Sequence, residues 1–97
     1  MNENRKAFYE KFDAQLEEWG AQIGQLKARG AHAKVEFMSD YAHSLDAFQQ
    51  KHAEGLARMK VLKAAGDDAW DDVKAGMEKI LAEGKVAYHA AVSRFKS

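Results

Sequence analysis

The sequence predicts an all-α protein: a long amphipathic helix over about residues 4–65, a turn near 66–67 and a shorter helix over about 68–95. The two form a helical hairpin that associates with other copies as an antiparallel coiled coil or helical bundle, in a single domain spanning 1–97. Three observations predict this. No proline occurs in 97 residues, so the strongest helix breaker is absent, and alanine, lysine, glutamate, glutamine and leucine recur throughout. The apolar residues fall at coiled-coil spacings. Helix stop and start signals coincide at one place, Ala64 through Val73.

In the first helix the seam runs through Phe12, Leu16, Trp19, Ile23, Leu26, Gly30, Ala33 and Phe37, alternating steps of four and three. Such a stripe lets a helix bury one side against a partner helix. The spacing then changes to four, four and three through Phe37, Tyr41, Leu45 and Phe48, and again through His52, Leu56 and Met59. An 11-residue repeat returns to the same face after three turns and relaxes the left-handed supercoil that heptads impose. Leu26, Phe37, Phe48, Met59, Trp70, Leu81 and Val92 follow it in sequence. Gly30 lies on the seam, where it lets a partner backbone or the ring of Trp19, Phe37 or Tyr41 approach closely. Gly20, Gly24 and Gly55 lie off it and read as exposed positions. Because the apolar phase passes through all of them without slipping, the helix is expected to continue across them.

The end of the first helix is drawn from Gly66, which follows Lys60 and Lys63. Glycine commonly ends a helix in a left-handed conformation, and cations suit a helix C-terminus. Asp67 or Asp68 can cap the next helix, with Asp71 and Asp72 adding negative charge near its positive end. The second helix resumes the seam at Trp70, Val73, Met77, Ile80, Gly84, Ala87, Ala91 and Phe95, and Arg94 and Lys96 supply the charge its C-terminus prefers. Leu62, Gly66 and Trp70 keep phase across the turn, so a continuous rod stays open beside the expected hairpin.

Length then bears on assembly. At about 1.5 Å per residue the first helix would be roughly 90 Å long and the second roughly 42 Å, so the hairpin would cover the seam only back to Phe37. Phe12, Leu16, Trp19, Ile23 and Leu26 would stand exposed, and each such side chain gains roughly 1.5–3 kcal/mol on burial. An apolar stripe of that size marks an interaction surface. The expected oligomer interface is Phe12, Leu16, Trp19, Ile23, Leu26, Phe37, Tyr41, Leu45, Phe48 and Trp70, and the expected partner is a second copy in a homodimer, with a trimer as the alternative.

The residues that carry chemistry are sparse. Fifteen basic and fifteen acidic side chains cancel, so nothing steers the whole molecule to nucleic acid, and no nucleic-acid partner is expected. There is no cysteine, and hence no disulfide or thiolate metal site. No Gly-rich phosphate loop, nucleophile elbow or HExxH motif occurs, and no enzymatic activity, cofactor or metal is expected. The histidines are His32, His43, His52 and His89. Asp40 and His43, with Glu36 one turn before, form a single carboxylate–histidine pair, which reads as a polar flank beside Phe37 and Tyr41 more readily than as a metal site. His52 lies on the seam, where a polar residue can fix register or sense pH, or be simply half-buried. Lys27, Arg29 and Lys34, with His32, lie in a stretch without acidic residues between Trp19 and Val35. They read as a solvated face that meets the acidic Glu10, Glu17 and Glu18 of an antiparallel partner. No window is apolar enough for a membrane span and the N-terminus lacks a signal-peptide core, so a soluble, cytoplasmic protein is expected.

Two stretches carry a resemblance: Asn2-Glu3-Asn4-Arg5 leading to Gln15-Leu16-Glu17-Glu18-Trp19, and Gly66-Asp67-Asp68-Ala69-Trp70-Asp71-Asp72-Val73-Lys74-Ala75-Gly76-Met77-Glu78. The pattern resembles small bacterial coiled-coil proteins of the apolipoprotein-like kind, and it covers most of the chain. The resemblance implies helical, oligomeric proteins with no established enzymatic activity. Gly20, Gly24 and Gly30 depart from that charge-saturated pattern. Two function classes follow: a structural or interaction protein forming a homo-oligomeric bundle, and a surface-active, apolipoprotein-like or phasin-like protein whose opened hairpin lies on a lipid or polymer surface.

Overall fold

The computed structural model describes the backbone of residues 2–32 and 34–96 and the side chains of 5–32, 34–36 and 38–93. The chain is all-helical, as expected, but it forms three helices: α1 (Asn2–Gly30), α2 (Val35–Ala64) and α3 (Asp67–Lys96). The expected helix over 4–65 is therefore two helices, the first ending at Gly30 and the second beginning at Val35, although the apolar phase runs through from one to the other. Nothing in the local sequence forbids helix there. The break exists because folding α1 back buries its whole seam inside the same chain, which outweighs the few helical hydrogen bonds lost.

The three helices form a bundle 50 × 18 × 16 Å across. Tyr9 meets Leu62, Leu16 meets Gly55 and Leu26 meets Tyr41, so α1 and α2 run in opposite directions. Lys51 meets Glu83 and Phe48 meets Tyr88, which reverses direction again between α2 and α3. α2 and α3 make the most extensive backbone approach, and α1 reaches α3 mainly through large side chains.

At the first turn α1 gives way at Gly30, and the His32 N–H donates to the Arg29 carbonyl. Lys34 stands extended before α2 with no side-chain cap. Gly30 has the role expected of a seam glycine: a Cβ there would lie 2.9 Å from the Tyr41 ring. That ring packs over the glycine while its hydroxyl donates to the Leu26 carbonyl. Burial raises the Tyr41 phenol above its ordinary pKa, opposed by the nearby Arg29 guanidinium.

The second turn is the hairpin expected near Gly66, reached differently. Ala65 is extended, its N–H donating to the Leu62 carbonyl, and no described glycine has a positive φ, so the left-handed cap expected at Gly66 is not used. Instead the Gly66 carbonyl opens α3 by accepting from the N–H groups of Ala69 and Trp70. Side chains of α1 complete the turn. Tyr9 adds a second donor to the Leu62 carbonyl at 3.4 Å, and Arg5 donates to the Ala65 carbonyl at 3.4 Å. Arg5 also pairs with Asp67 at 2.6 Å and lies over the Trp70 ring, tying all three helices at one end.

Candidate functional site

Ten residues were expected at an oligomer interface, and the structure places nine of them in or against the chain's own core. Phe12, Leu16, Trp19, Ile23, Leu26, Tyr41, Phe48 and Trp70 are buried and Leu45 is half-buried. Phe37 has its side chain outside the described residues. The premise that the N-terminal seam is left uncovered is thus corrected: α2 and α3 cover it, because the break after Gly30 turns α1 back on its own chain. On the 11-residue row, Leu26, Phe48, Met59 and Trp70 are buried, and Leu81 and Val92 half-buried.

The packing of this core rests on two glycines of different helices. Trp19 lies against Gly84, where a Cβ would fall 2.0 Å from the ring, and Leu16 lies against Gly55, where it would fall 2.6 Å away. Gly55 is buried, which corrects its expected exposure. Around Trp19 an aromatic row continues to Phe48 and Tyr88, at ring separations of 5.2 and 5.4 Å. A second group gathers at the Arg5 end, where Phe8 meets Phe12 and Trp70 and the Lys74 ammonium lies 3.8 Å from the Phe8 ring centre. His52, expected on the seam, is half-buried with Nε2 2.9 Å from the Leu16 carbonyl. A carbonyl only accepts, so Nε2 carries the hydrogen, and the bond fixes α1 against α2 at that level.

The polar candidates stay apart. Asp40, His43 and Glu36 are exposed, and among the described residues no three His, Asp or Glu side chains converge as a metal-binding group. Among the described residues no helix is long and apolar enough to cross a membrane. Lys51 bridges Glu54 and Glu83, both at 3.1 Å, and these hydrogen bonds raise its ammonium above the ordinary pKa. Lys63 pairs with Asp13 across α1 and α2.

Among the described residues Val35, Met38, Leu56, Val61 and Val86 stay exposed, and two apolar places stand out. The larger is a groove between α2 and α3, on the side away from α1, with an open volume of about 430 Å³ lined by Lys60, Val61, Ala64, Ala65, Ala69 and Val73. It continues past Val61 into a further 240 Å³ beside Ala57, Arg58, Glu54 and Ile80. Val61 is 49% exposed at its centre. The sequence carried a signal for this face, the small apolar residues one step off the seam, but the seam itself was the stronger pattern. The second place is the first turn, where Val35 is 85% and Met38 43% exposed beside the exposed Lys27, Arg29 and Lys34. No family model, no curated protein and no solved structure matches the chain.

Proposed function

We propose that this chain is a non-enzymatic interaction protein that associates with a second copy of itself. The α2–α3 groove carries the proposal. It joins Val61, Val73, Ala57, Ala64, Ala65 and Ala69 into one apolar strip edged by Lys60, Arg58 and Glu54, on a bundle whose largest side chains are buried. Small residues let another helix approach closely, and a contiguous apolar surface in water is relieved by association. The interface therefore moves from the α1 seam to the outer faces of α2 and α3, and the bundle supplies a rigid platform for it. Sedimentation equilibrium across a concentration series is the test. A dimer is expected, and a monomer at every concentration would remove the proposal.

The first turn favours a second reading, the surface-active one. Val35 and Met38 project beside three cations, a combination that suits the boundary of an anionic lipid surface. On this reading the protein co-sediments with vesicles containing phosphatidylserine and not with purely zwitterionic ones. A stable oligomer indifferent to both vesicle types would exclude it.

A further inference from the structure

We infer that the protein has a second form in which the connection between α1 and α2 straightens into helix and two copies exchange α1, each α1 covering the α2–α3 hairpin of the other. The inference goes beyond the groove-based association proposed above and uses no free surface. α1 is held by contacts with α2 and α3: Trp19 on Gly84, Leu16 on Gly55, the Leu16 carbonyl on His52 and Arg5 on Asp67. None of these involves the connection, so an α1 supplied by a second copy makes them equally well. The connection itself is weakly specified. Ala31, His32, Ala33 and Lys34 include no proline, no glycine and no capping residue, and all four are compatible with helix. The His32 N–H donates to the Arg29 carbonyl, and Lys34 enters α2 without a side-chain cap.

Helix phase decides the geometry. A turn between antiparallel helices makes no demand on how their apolar stripes would face if the chain ran straight, whereas a continuous helix needs both stripes on one side. Leu26, Gly30, Ala33, Phe37 and Tyr41 follow one another at steps of four, three, four and four, so the stripe passes through the connection unbroken. Straightened, α1 and α2 form one rod from Asn2 to Ala64, roughly 95 Å long at about 1.5 Å per residue, with a single apolar side. The register is fixed as well. Tyr9 with Leu62, Leu16 with Gly55 and Gly30 with Tyr41 are pairs centred on one point in the sequence, between Val35 and Glu36. A two-fold axis at that point, perpendicular to two antiparallel rods, reproduces all three pairings between copies. The product is two three-helix bundles end to end, each built from the α1 of one copy and the α2–α3 hairpin of the other. Helical hydrogen bonds gained in the connection favour this form and the lost freedom of association opposes it, so protein concentration sets the balance.

The test is to refold the full chain from urea at high protein concentration and to measure mass by light scattering and shape by small-angle X-ray scattering. The wild type is expected to yield a dimer about twice as long as the 50 Å single bundle. Copies joined through the α2–α3 groove would lie side by side and stay near the single-bundle length. Val35→Pro blocks the rod while suiting the single bundle. Residue 35 is the first of α2, where proline is tolerated, and Lys34 before it already has the extended φ −64° and ψ 141° that a following proline requires. Inside a continuous helix the same proline breaks the rod in both copies and is expected to weaken the elongated dimer about a hundredfold or more. Deleting residues 31–34 removes the turn that closure needs and displaces the stripe of a continuous helix by only about 40°. That variant is expected to form the elongated dimer at low concentration too, with wild-type helical circular dichroism. A deletion variant that is a monomer of single-bundle length would overturn the exchange, as would an elongated dimer that persists unweakened in a helical Val35→Pro. If Val35→Pro does not fold, the lengths of the wild type and the deletion variant decide alone. A wild-type dimer of single-bundle length would overturn the exchange and leave groove-based association standing, and a wild type that remains monomeric after refolding would remove both.

Discussion

The glycines show how much depends on single residues. Gly84 and Gly24 are both helical, and a sequence-based scale would assign each the same cost, about 1 kcal/mol relative to alanine. Their surroundings differ entirely. A Cβ at Gly24 would meet nothing within 4 Å, whereas one at Gly84 would stand 2.0 Å from the Trp19 ring. Gly24→Ala is therefore expected to stabilise the protein by about 1 kcal/mol, the full propensity gain. Gly84→Ala must displace a buried indole and is expected to destabilise by about 1 kcal/mol net, the overpacking cost exceeding the same gain. Urea unfolding of the two variants should show midpoints moving in opposite directions. Trp19 was recognisable in the sequence as a seam residue, but its seat on Gly84 was not, because the two are far apart in sequence and belong to different helices.

At the scale of the elements, the two turns are made by different means. The α2–α3 turn is written locally: Gly66 and the aspartates that follow mark a helix end and a helix start, and Arg5 and Tyr9 then close it from α1. The α1–α2 turn has no such punctuation, and Lys34 enters α2 without a side-chain cap. A residue there whose side chain accepts from the first free N–H groups should strengthen the start of α2. Lys34→Asp is expected to stabilise the fold by about 1 kcal/mol, combining a cap with a favourable charge at the helix N-terminus. A raised urea midpoint with unchanged slope would show this, and a lowered midpoint would mean that the lysine itself contributes at the turn.

For the whole molecule, the same seam that suggested an oligomer completes a single-chain core. Eight of the ten expected interface residues are buried together in one chain, with Trp19 near the middle of the bundle. Trp19→Asp would put a carboxylate into that core and leave the Gly84 seat empty. Either defect costs several kcal/mol against a total stability of about 5–15 kcal/mol. Loss of most of the helical circular dichroism is expected at every protein concentration, because the damage is inside each chain. A variant that stays helical as a monomer would show that Trp19 serves association and that the single-chain core does not depend on it.

The sequence by itself determined that the chain is helical and that one stripe of each helix is apolar, and it favoured a turn at Gly66 over a continuous rod. Composition, spacing and cap chemistry act over neighbouring residues and are legible as they stand. The tertiary structure alone decided that the long helix breaks after Gly30, that Gly55 and Gly84 are seats for Leu16 and Trp19, and that the α2–α3 groove is the apolar face left outside. The physical reason is that the periodicity of a helix records which side seeks burial, and is indifferent to whether the covering surface comes from another copy or from the same chain folded back. That choice depends on the free energy of bringing α1 onto α2 and α3 within one chain, which exceeds the small cost of breaking a helix whose local sequence would have let it continue.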